Sequence, residues 1–179
     1  YTQGSLGASG DLAPLSHLCL PILGMGHVYY KGKKSLASEV CEELGWQPIK
    51  LKSKEGLALI NGTQFMSAYG IYILMQANRL FDWSLNIAAL SFDGFDAVLH
   101  PFHEKIHDIR AHNGQVYVAA RMRALLNGSE ISVRAKSQVQ DPYSFRCIPQ
   151  VHGASYDAIS YVQSVFSVSY THLRAHETR

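Results

Sequence analysis

Three small residues near the start of the chain, Ala8, Ser9 and Gly10, could turn their own backbone into an electrophile. If the chain bends so that the Gly10 amide nitrogen reaches the Ala8 carbonyl carbon, attack closes a five-membered ring, and loss of water makes it an imidazolone. Glycine allows this approach because it has no Cβ, and Ser9 carries the β-hydroxyl that leaves as a second water. The pattern therefore predicts a ring with an exposed methylidene carbon.

A helix is predicted to begin directly after this tripeptide. Asp11 is a good N-cap residue, and Pro14 is tolerated in a first turn because its missing N–H would be unpaired there anyway. The positive end of the helix would favour the negative charge that develops on the ring when a nucleophile adds. A phosphate-binding loop is the alternative for this glycine-rich stretch, but no Gly-Lys-Ser or Gly-Lys-Thr follows it.

The segment GASGDLAPL around this tripeptide resembles the signature of the histidine, phenylalanine and tyrosine ammonia-lyases. In that family the electrophile is a methylidene-imidazolone that forms autocatalytically from Ala-Ser-Gly. The resemblance therefore implies this group at Ala8, Ser9 and Gly10, and no diffusible cofactor. It extends from about Ser5 to Phe166 and implies an all-α fold, a long-helix bundle like the ammonia-lyase core.

Two further segments carry the resemblance and imply site residues. EGLALINGTQ is similar to the segment whose asparagine binds at the active site, which implies that Asn61 hydrogen-bonds the substrate carboxylate or the ring carbonyl. QDPYSFRCIPQVHG matches a segment that lines the site with Gln140, Tyr143 and Arg146. The planar guanidinium of Arg146 can bind a carboxylate through two hydrogen bonds. Gln140 can hydrogen-bond near the ring, and Tyr143 brings a phenol to the electrophile as an implied catalytic residue.

The resemblance also implies a reaction. The substrate amine adds to the methylidene carbon, a base removes a β-proton, and ammonia and an α,β-unsaturated acid are the products. The form of residues 139–153 is closer to the histidine enzymes, so we expect L-histidine as substrate and urocanate as product, with phenylalanine or tyrosine as the alternative. In the family the base is a tyrosine that precedes the electrophile, and we assign no residue of this chain to it.

The family resemblance implies an assembly as well. Its enzymes are homotetramers in which each active site draws residues from several subunits, so we expect a homotetramer with a small-molecule amino acid as substrate. A non-catalytic helical assembly fragment is a further hypothesis, and its sign would be an uncyclised Ala8-Ser9-Gly10.

A competing pattern, His-Glu-x-x-His, is formed by His103, Glu104 and His107. On a helix the two imidazoles share a face and could bind zinc with Glu104 as general base, which would make the protein a metallopeptidase. No spacing recommends a third ligand, and Lys105 and Asp108 give the helix a solvated face. We therefore favour a surface helix without a metal.

The composition of the chain bears on its partners, its compartment and its relation to membranes. The formal net charge is +2, and the one basic cluster, Lys31 with Lys33 and Lys34, is short, so we expect no nucleic-acid partner. Three widely spaced cysteines favour a reducing, cytoplasmic compartment over disulfides or a thiolate zinc site. Residues 56–78 carry no charge, but their glycines and polar residues favour a buried helix over a membrane span.

The element pattern predicts a mostly helical chain in one domain. Predicted helices cover residues 12–23 with a bend near Pro21, 37–44, 64–90 as one or two helices, 102–110, 114–126 and 151–165, with a short hairpin near residues 28–35 and a loop over 127–140. Tyr117, Ala120 and Leu125 are the expected inner face of the helix over 114–126. Residues 1–167 are expected to be a fragment of the ammonia-lyase catalytic domain, inactive alone, and residues 168–179 a non-native tail resembling vector or adaptor sequence.

Overall fold

A computed structural model describes Gly4 and residues 10–176, the last eight of these as backbone only. The chain divides into two compact units, one ending at Gly70 and the other beginning at Ile71. The sequence-based expectation of one domain stays a prediction. Each unit is described by itself.

The first unit combines short helices with a hairpin. Its elements are α1 (Leu12–Cys19), a 3-10 turn (Leu20–Leu23), β1 (His27–Tyr30), β2 (Lys33–Leu36), α2 (Ala37–Leu44) and α3 (Glu55–Ile60). Pro21 has no N–H to donate, and the α-helix tightens at this point into the 3-10 turn. The predicted bend near Pro21 thus takes the form of a change in helix type.

The hairpin turns at Lys31 and Gly32, which both have positive φ, 48° and 77°. Two consecutive residues with positive φ make the tight turn whose twist suits two antiparallel strands. The strands pair in the register His27 with Leu36 and Tyr30 with Lys33. The predicted hairpin is confirmed.

The second unit is helical and begins within a long helix that starts in the first. Its elements are α4 (Gln64–Gly94), a 3-10 turn (His100–Phe102), α5 (Glu104–Asp108), α6 (Asn113–Leu125), α7 (Glu130–Val133), α8 (Tyr143–Arg146) and α9 (Ile148–His176). The expected all-α class with a small hairpin is confirmed. None of the described helices is long and apolar enough to cross a membrane.

The core of the second unit lies where α4, α6 and α9 pack together. Phe92, Phe102 and Met122 are almost completely buried there, with Leu85 beside them. The rings of Phe92 and Phe102 have centroids 4.9 Å apart in a tilted arrangement, which is favourable for aromatic pairs. Burial of these large side chains is the main source of stability for the unit.

Helices α6 and α9 approach each other closely at two glycines. A Cβ added to Gly114 would lie 2.1 Å from the Gly153 carbonyl oxygen, and one added to Gly153 would lie 2.5 Å from the Gln115 backbone nitrogen. Neither position has room for a side chain. The Asp157 carboxylate on α9 also accepts a hydrogen bond from the Gly114 N–H at the start of α6, at 2.9 Å.

Several predicted elements need correction. On α6 the fully buried face includes Val118, Ala119 and Met122, whereas Ala120 is exposed and Tyr117 and Leu125 are only partly buried. The predicted inner face was therefore wrong at Ala120, because α6 is set by its contact with α9. The helix predicted over 102–110 is only the short α5, and α7 forms within the predicted loop over 127–140. Helix α9 begins before residue 151 and continues beyond 165 as far as residue 176.

Candidate active site

In the first unit, Gly10 and Asn61 lie close together. Gly10 has φ of +92°, in the region that L side chains rarely adopt, and a Cβ placed there would lie 3.4 Å from the Asn61 Oδ1. Asn61 ends α3, and its N–H donates to the Leu57 carbonyl oxygen at 3.0 Å. The packing of α1 against α3 brings the two residues together. The backbone at Gly10 therefore faces an amide side chain.

The Asn61 side chain is exposed and has no hydrogen-bond partner among the residues that the structure describes. Its amide is thus available to a carboxylate or a ring carbonyl. Ala8 and Ser9, the other two members of the predicted ring, lie outside the described residues.

Asp11 occupies the predicted N-cap position of α1 but does not cap the helix. Its side chain accepts no hydrogen bond from the helix, because its ψ of 60° departs from the extended conformation of a typical N-cap. The residue is 4% exposed, and Oδ2 has no partner among the described residues. The carboxylate is therefore buried beside the first turn, and the predicted capping role is wrong.

In the second unit, a pocket of about 390 Å³ gathers the predicted site residues of the third motif. Gln140, Tyr143 and Arg146 all line it. Other lining residues are Val98, His100 and Pro101 from the segment that precedes α5, and Ile106 from α5 itself. The pocket has the mixed apolar and polar lining that is typical of a site for a small molecule.

Arg146 is half-buried at the end of α8 and is held on one side only. Its Nε donates to the backbone carbonyl oxygen of Asp141 at 3.0 Å, and its guanidinium carbon lies 5.4 Å from the centre of the Tyr143 ring. No carboxylate pairs with Arg146 within the described part of the chain. The two terminal amino groups are therefore free to bind a planar anion through paired hydrogen bonds.

Asp141 connects this arginine to the rest of the unit. It is 4% exposed. Its Oδ2 accepts a hydrogen bond from the Val98 N–H at 2.6 Å, and its Oδ1 accepts one from the Gln138 side chain at 3.3 Å. Pro142 occupies the N-cap position of α8, and the Asp141 carboxylate binds the Val98 N–H.

Gln140 and Tyr143 lie at the more open part of the pocket lining. Gln140 is exposed, and 71% of Tyr143 is exposed. Cys147 and Gln150 also line the pocket, and the sequence analysis missed them. Tyr143, Arg146, Cys147 and Gln150 stand at i, i+3, i+4 and i+7, the spacing of one helix face, and this spacing was the available signal.

The histidines of the alternative zinc motif are used in other ways. His107 is buried; its Nε2 donates to the Pro101 carbonyl oxygen at 2.8 Å, and its Nδ1 accepts from the Gln115 side chain at 3.0 Å. His103 is exposed, and its Nδ1 accepts from the Lys105 N–H at the start of α5. Burial lowers the pKa of His107, although the Pro101 carbonyl opposes this shift.

Zinc binding at His107 would require the loss of one of its two hydrogen bonds. The described residues contain no group of three or more His, Cys, Asp or Glu side chains arranged to hold a metal ion. The geometry thus supports the interpretation of His103, Glu104 and His107 as a structural helix start and a packed core histidine.

Comparison with known proteins defines the class. Residues 1–173 match the family described as Aromatic amino acid lyase. The match covers nearly the whole chain and includes all three motifs. The chain therefore belongs to the aromatic amino acid lyase family.

Within that family, the chain is similar to histidine ammonia-lyases. The histidine ammonia-lyase of Geobacillus sp. (strain WCH70) is 50% identical over 167 residues, which are 93% of this chain and 33% of that protein. The solved histidine ammonia-lyase of Trypanosoma cruzi matches with a TM-score of 0.75 and 41% identity, over 91% of this chain and 30% of that one. Phenylalanine ammonia-lyase from Rhodosporidium toruloides matches with the same TM-score of 0.75 but 32% identity, over 89% of this chain and 25% of that one. The chain spans about a third of the length of the curated relatives it matches.

Proposed function

We propose that this chain is part of a histidine ammonia-lyase, which converts L-histidine to urocanate and ammonia without oxidation. The observation that carries the proposal is the 50% identity to a histidine ammonia-lyase over 93% of this chain. The two solved ammonia-lyases compared above have equal TM-scores, but the histidine enzyme is 41% identical and the phenylalanine enzyme 32%. Fold similarity does not separate the substrates, whereas sequence identity favours histidine.

The electrophile in this proposal is a methylidene-imidazolone formed from Ala8, Ser9 and Gly10. The geometry at Gly10 suits such a ring, because its positive φ is one that L side chains rarely adopt and because the Asn61 amide lies beside it. When present, the group supplies an electrophilic carbon that converts the substrate amine into a better leaving group. Asn61, whose amide has no hydrogen-bond partner among the described residues, is proposed to hydrogen-bond the ring carbonyl or the substrate carboxylate.

Arg146 is proposed to bind the substrate carboxylate. Its Nε is already engaged with Asp141, so the carboxylate would approach the two terminal amino groups end on. A hydrogen bond that involves a charged group contributes about 1.5–3 kcal/mol. These hydrogen bonds fix the orientation of the amino acid, and correct orientation of the substrate is a large part of catalysis.

Tyr143 and Gln140 are proposed to act beside this arginine. The Tyr143 phenol is exposed in the pocket, and the Arg146 guanidinium carbon lies 5.4 Å from the centre of its ring. We propose Tyr143 as a catalytic residue and Gln140 as a hydrogen-bonding residue for the substrate. The general base stays unassigned.

We also propose that the working protein is a homotetramer in the cytoplasm. On α4, the side chains of Tyr72, Met75, Leu80, Trp83 and Leu90 are each more than half exposed, which leaves a large apolar surface. Surfaces of this kind in soluble proteins mark contacts with other chains. Cys19, Cys41 and Cys147 are free thiols, which is consistent with a reducing compartment. Light scattering on the full-length protein tests the assembly, and a monomer would contradict it.

The proposed function is tested by ultraviolet assays of the full-length protein with histidine, phenylalanine and tyrosine in separate reactions. Urocanate from histidine alone is the expected result. Cinnamate or coumarate would assign the protein to the phenylalanine or tyrosine enzymes of the same family. A folded protein that acts on none of the three would contradict the proposal.

A further inference from the structure

Arg146 could not by itself hold a fixed direction at the end of α8. This helix is a single turn, and an arginine side chain has several rotatable bonds whose ordering costs entropy. In the structure, one donor, Nε, is bound to the backbone carbonyl oxygen of Asp141. The direction of the guanidinium therefore depends on how firmly the Asp141 backbone is held.

The Asp141 side chain holds that backbone from a different part of the chain. Its Oδ2 accepts the Val98 N–H at 2.6 Å, a short hydrogen bond to a charged acceptor. Gln138 supports the same carboxylate at Oδ1 and also donates to the Asp96 carbonyl oxygen at 2.7 Å. Asp96 itself is bound by Arg134 and Lys136.

These contacts join the segment after α4 to the segment before α8. The Asp141 carboxylate is at the junction and is 4% exposed, so water does not compete strongly for it. Asp141 lines the same pocket as Arg146 but contacts the arginine only through its backbone carbonyl.

We propose that Asp141 is the positioning residue for Arg146: its buried carboxylate, fixed by Val98 and Gln138, sets the direction in which the guanidinium meets the substrate carboxylate. This inference rests on the proposed function, since it assumes that Arg146 binds the carboxylate of histidine. Asp141 itself does not touch the substrate.

The test compares ligands with and without a carboxylate on the full-length enzyme. Urocanate carries the carboxylate and 4-methylimidazole does not, while both carry the imidazole ring. In Asp141→Ala the affinity for urocanate should fall about tenfold or more, with a matching rise in KM for histidine, because a small displacement of a binding group is costly. 4-Methylimidazole has no carboxylate for Arg146 to bind, so its affinity should change less than about twofold.

Three further variants separate positioning from general damage. Asp141→Ala added to Arg146→Ala should have no further effect on urocanate affinity, because both substitutions remove the same interaction. Asp141→Asn retains an oxygen for the Val98 N–H and should recover much of the lost affinity; it also carries the test if the alanine variant does not fold. Asp157→Ala is the matched control, since its carboxylate also accepts a backbone N–H in this unit but does not line the pocket.

The outcomes are distinct. Selective loss of urocanate affinity in Asp141→Ala, absent in Asp157→Ala, supports the inference. Equal weakening of both ligands, or an additive effect with Arg146→Ala, overturns it while the proposed function stands. A wild-type enzyme that forms no urocanate overturns the proposed function, and this inference with it.

Discussion

Substitution of Gly153 by alanine should strongly destabilise the second unit. The new Cβ would lie 2.5 Å from the Gln115 nitrogen and 2.7 Å from the Gly114 carbonyl carbon, and both neighbours are backbone atoms that no rotamer change can move. Ordinary van der Waals contact begins at 3.4 Å, so α6 and α9 would have to separate by about 1 Å. Separation would also stretch the 2.9 Å hydrogen bond between Asp157 and the Gly114 N–H.

The magnitude follows from two opposed effects. Overpacking of a close contact costs about 1–3 kcal/mol and occasionally more, and here the contact is between backbones, at the upper end. Alanine is a better helix former than glycine by about 1 kcal/mol, which offsets part of this cost. We expect a net loss of about 2 kcal/mol in the free energy of unfolding, which lowers the urea midpoint by about 1 M for a typical m value.

The assay is urea unfolding followed by circular dichroism, with Gly94→Ala as the matched control. Gly94 is also a helical glycine of this unit, at the end of α4, but a Cβ there meets nothing within 4 Å. Its midpoint should be unchanged or slightly higher. Equal midpoints for Gly153→Ala and Gly94→Ala would refute the reasoning, because the backbone contact would then carry no cost.

Three further predictions concern the candidate site and the buried histidine. Arg146→Lys should raise KM for histidine by about 10-fold to 100-fold with a smaller change in kcat, because an ammonium cannot form the paired hydrogen bonds of a guanidinium. Steady-state kinetics measure this, and an unchanged KM would contradict the proposal that Arg146 binds the substrate carboxylate. Ser9→Ala should abolish most activity, since alanine cannot lose the second water, and intact mass spectrometry should show that the wild type alone has lost the mass of two waters; an equally active Ser9→Ala would contradict the electrophile. Burial disfavours the charged form of His107 and lowers its pKa in the folded state, so the unfolded chain binds more protons at this residue. Its contribution to the free energy of unfolding should therefore be fully present above pH 6.5 and should decrease as the pH falls below that value. The free energy of unfolding, measured by denaturation at several pH values between about 5 and 7.5, should change less with pH in His107→Gln than in the exposed control His112→Gln. The same pH dependence in both variants would contradict the assignment.

Much of the candidate site follows from local sequence. Tyr143, Arg146 and Gln140 reach the same pocket because they lie within a few residues of each other at helical spacing. The hairpin and α2 were also predictable, because Gly32 and Gly45 place positive φ at the turn and at the helix end. In each case the physical cause acts over a few residues, so the local pattern contains it.

The predictions that failed involve contacts between distant residues. Asp11 was predicted to cap α1, yet its carboxylate is buried and does not bind the helix. The Asp141 carboxylate, which the sequence analysis did not single out, is also buried and binds the N–H of Val98, 43 residues away. The inner face of α6 depends on the close approach of Gly114 to Gly153, which helix periodicity does not contain. His107 matches a zinc motif letter for letter, but hydrogen bonds to Pro101 and Gln115 occupy its ring.

The sequence by itself determined the family, the class of fold and the residues proposed for the chemistry, because these depend on residue types in short, specific motifs. Tertiary structure decided which side chains are free to act and which are held in place. The backbone carbonyl of Asp141 binds the Nε of Arg146 and leaves its two terminal amino groups without a partner among the described residues, while Val98 and Gln138 bind the Asp141 carboxylate. Such partnerships arise when packing removes water from polar groups and requires each of them to find a new hydrogen-bond partner.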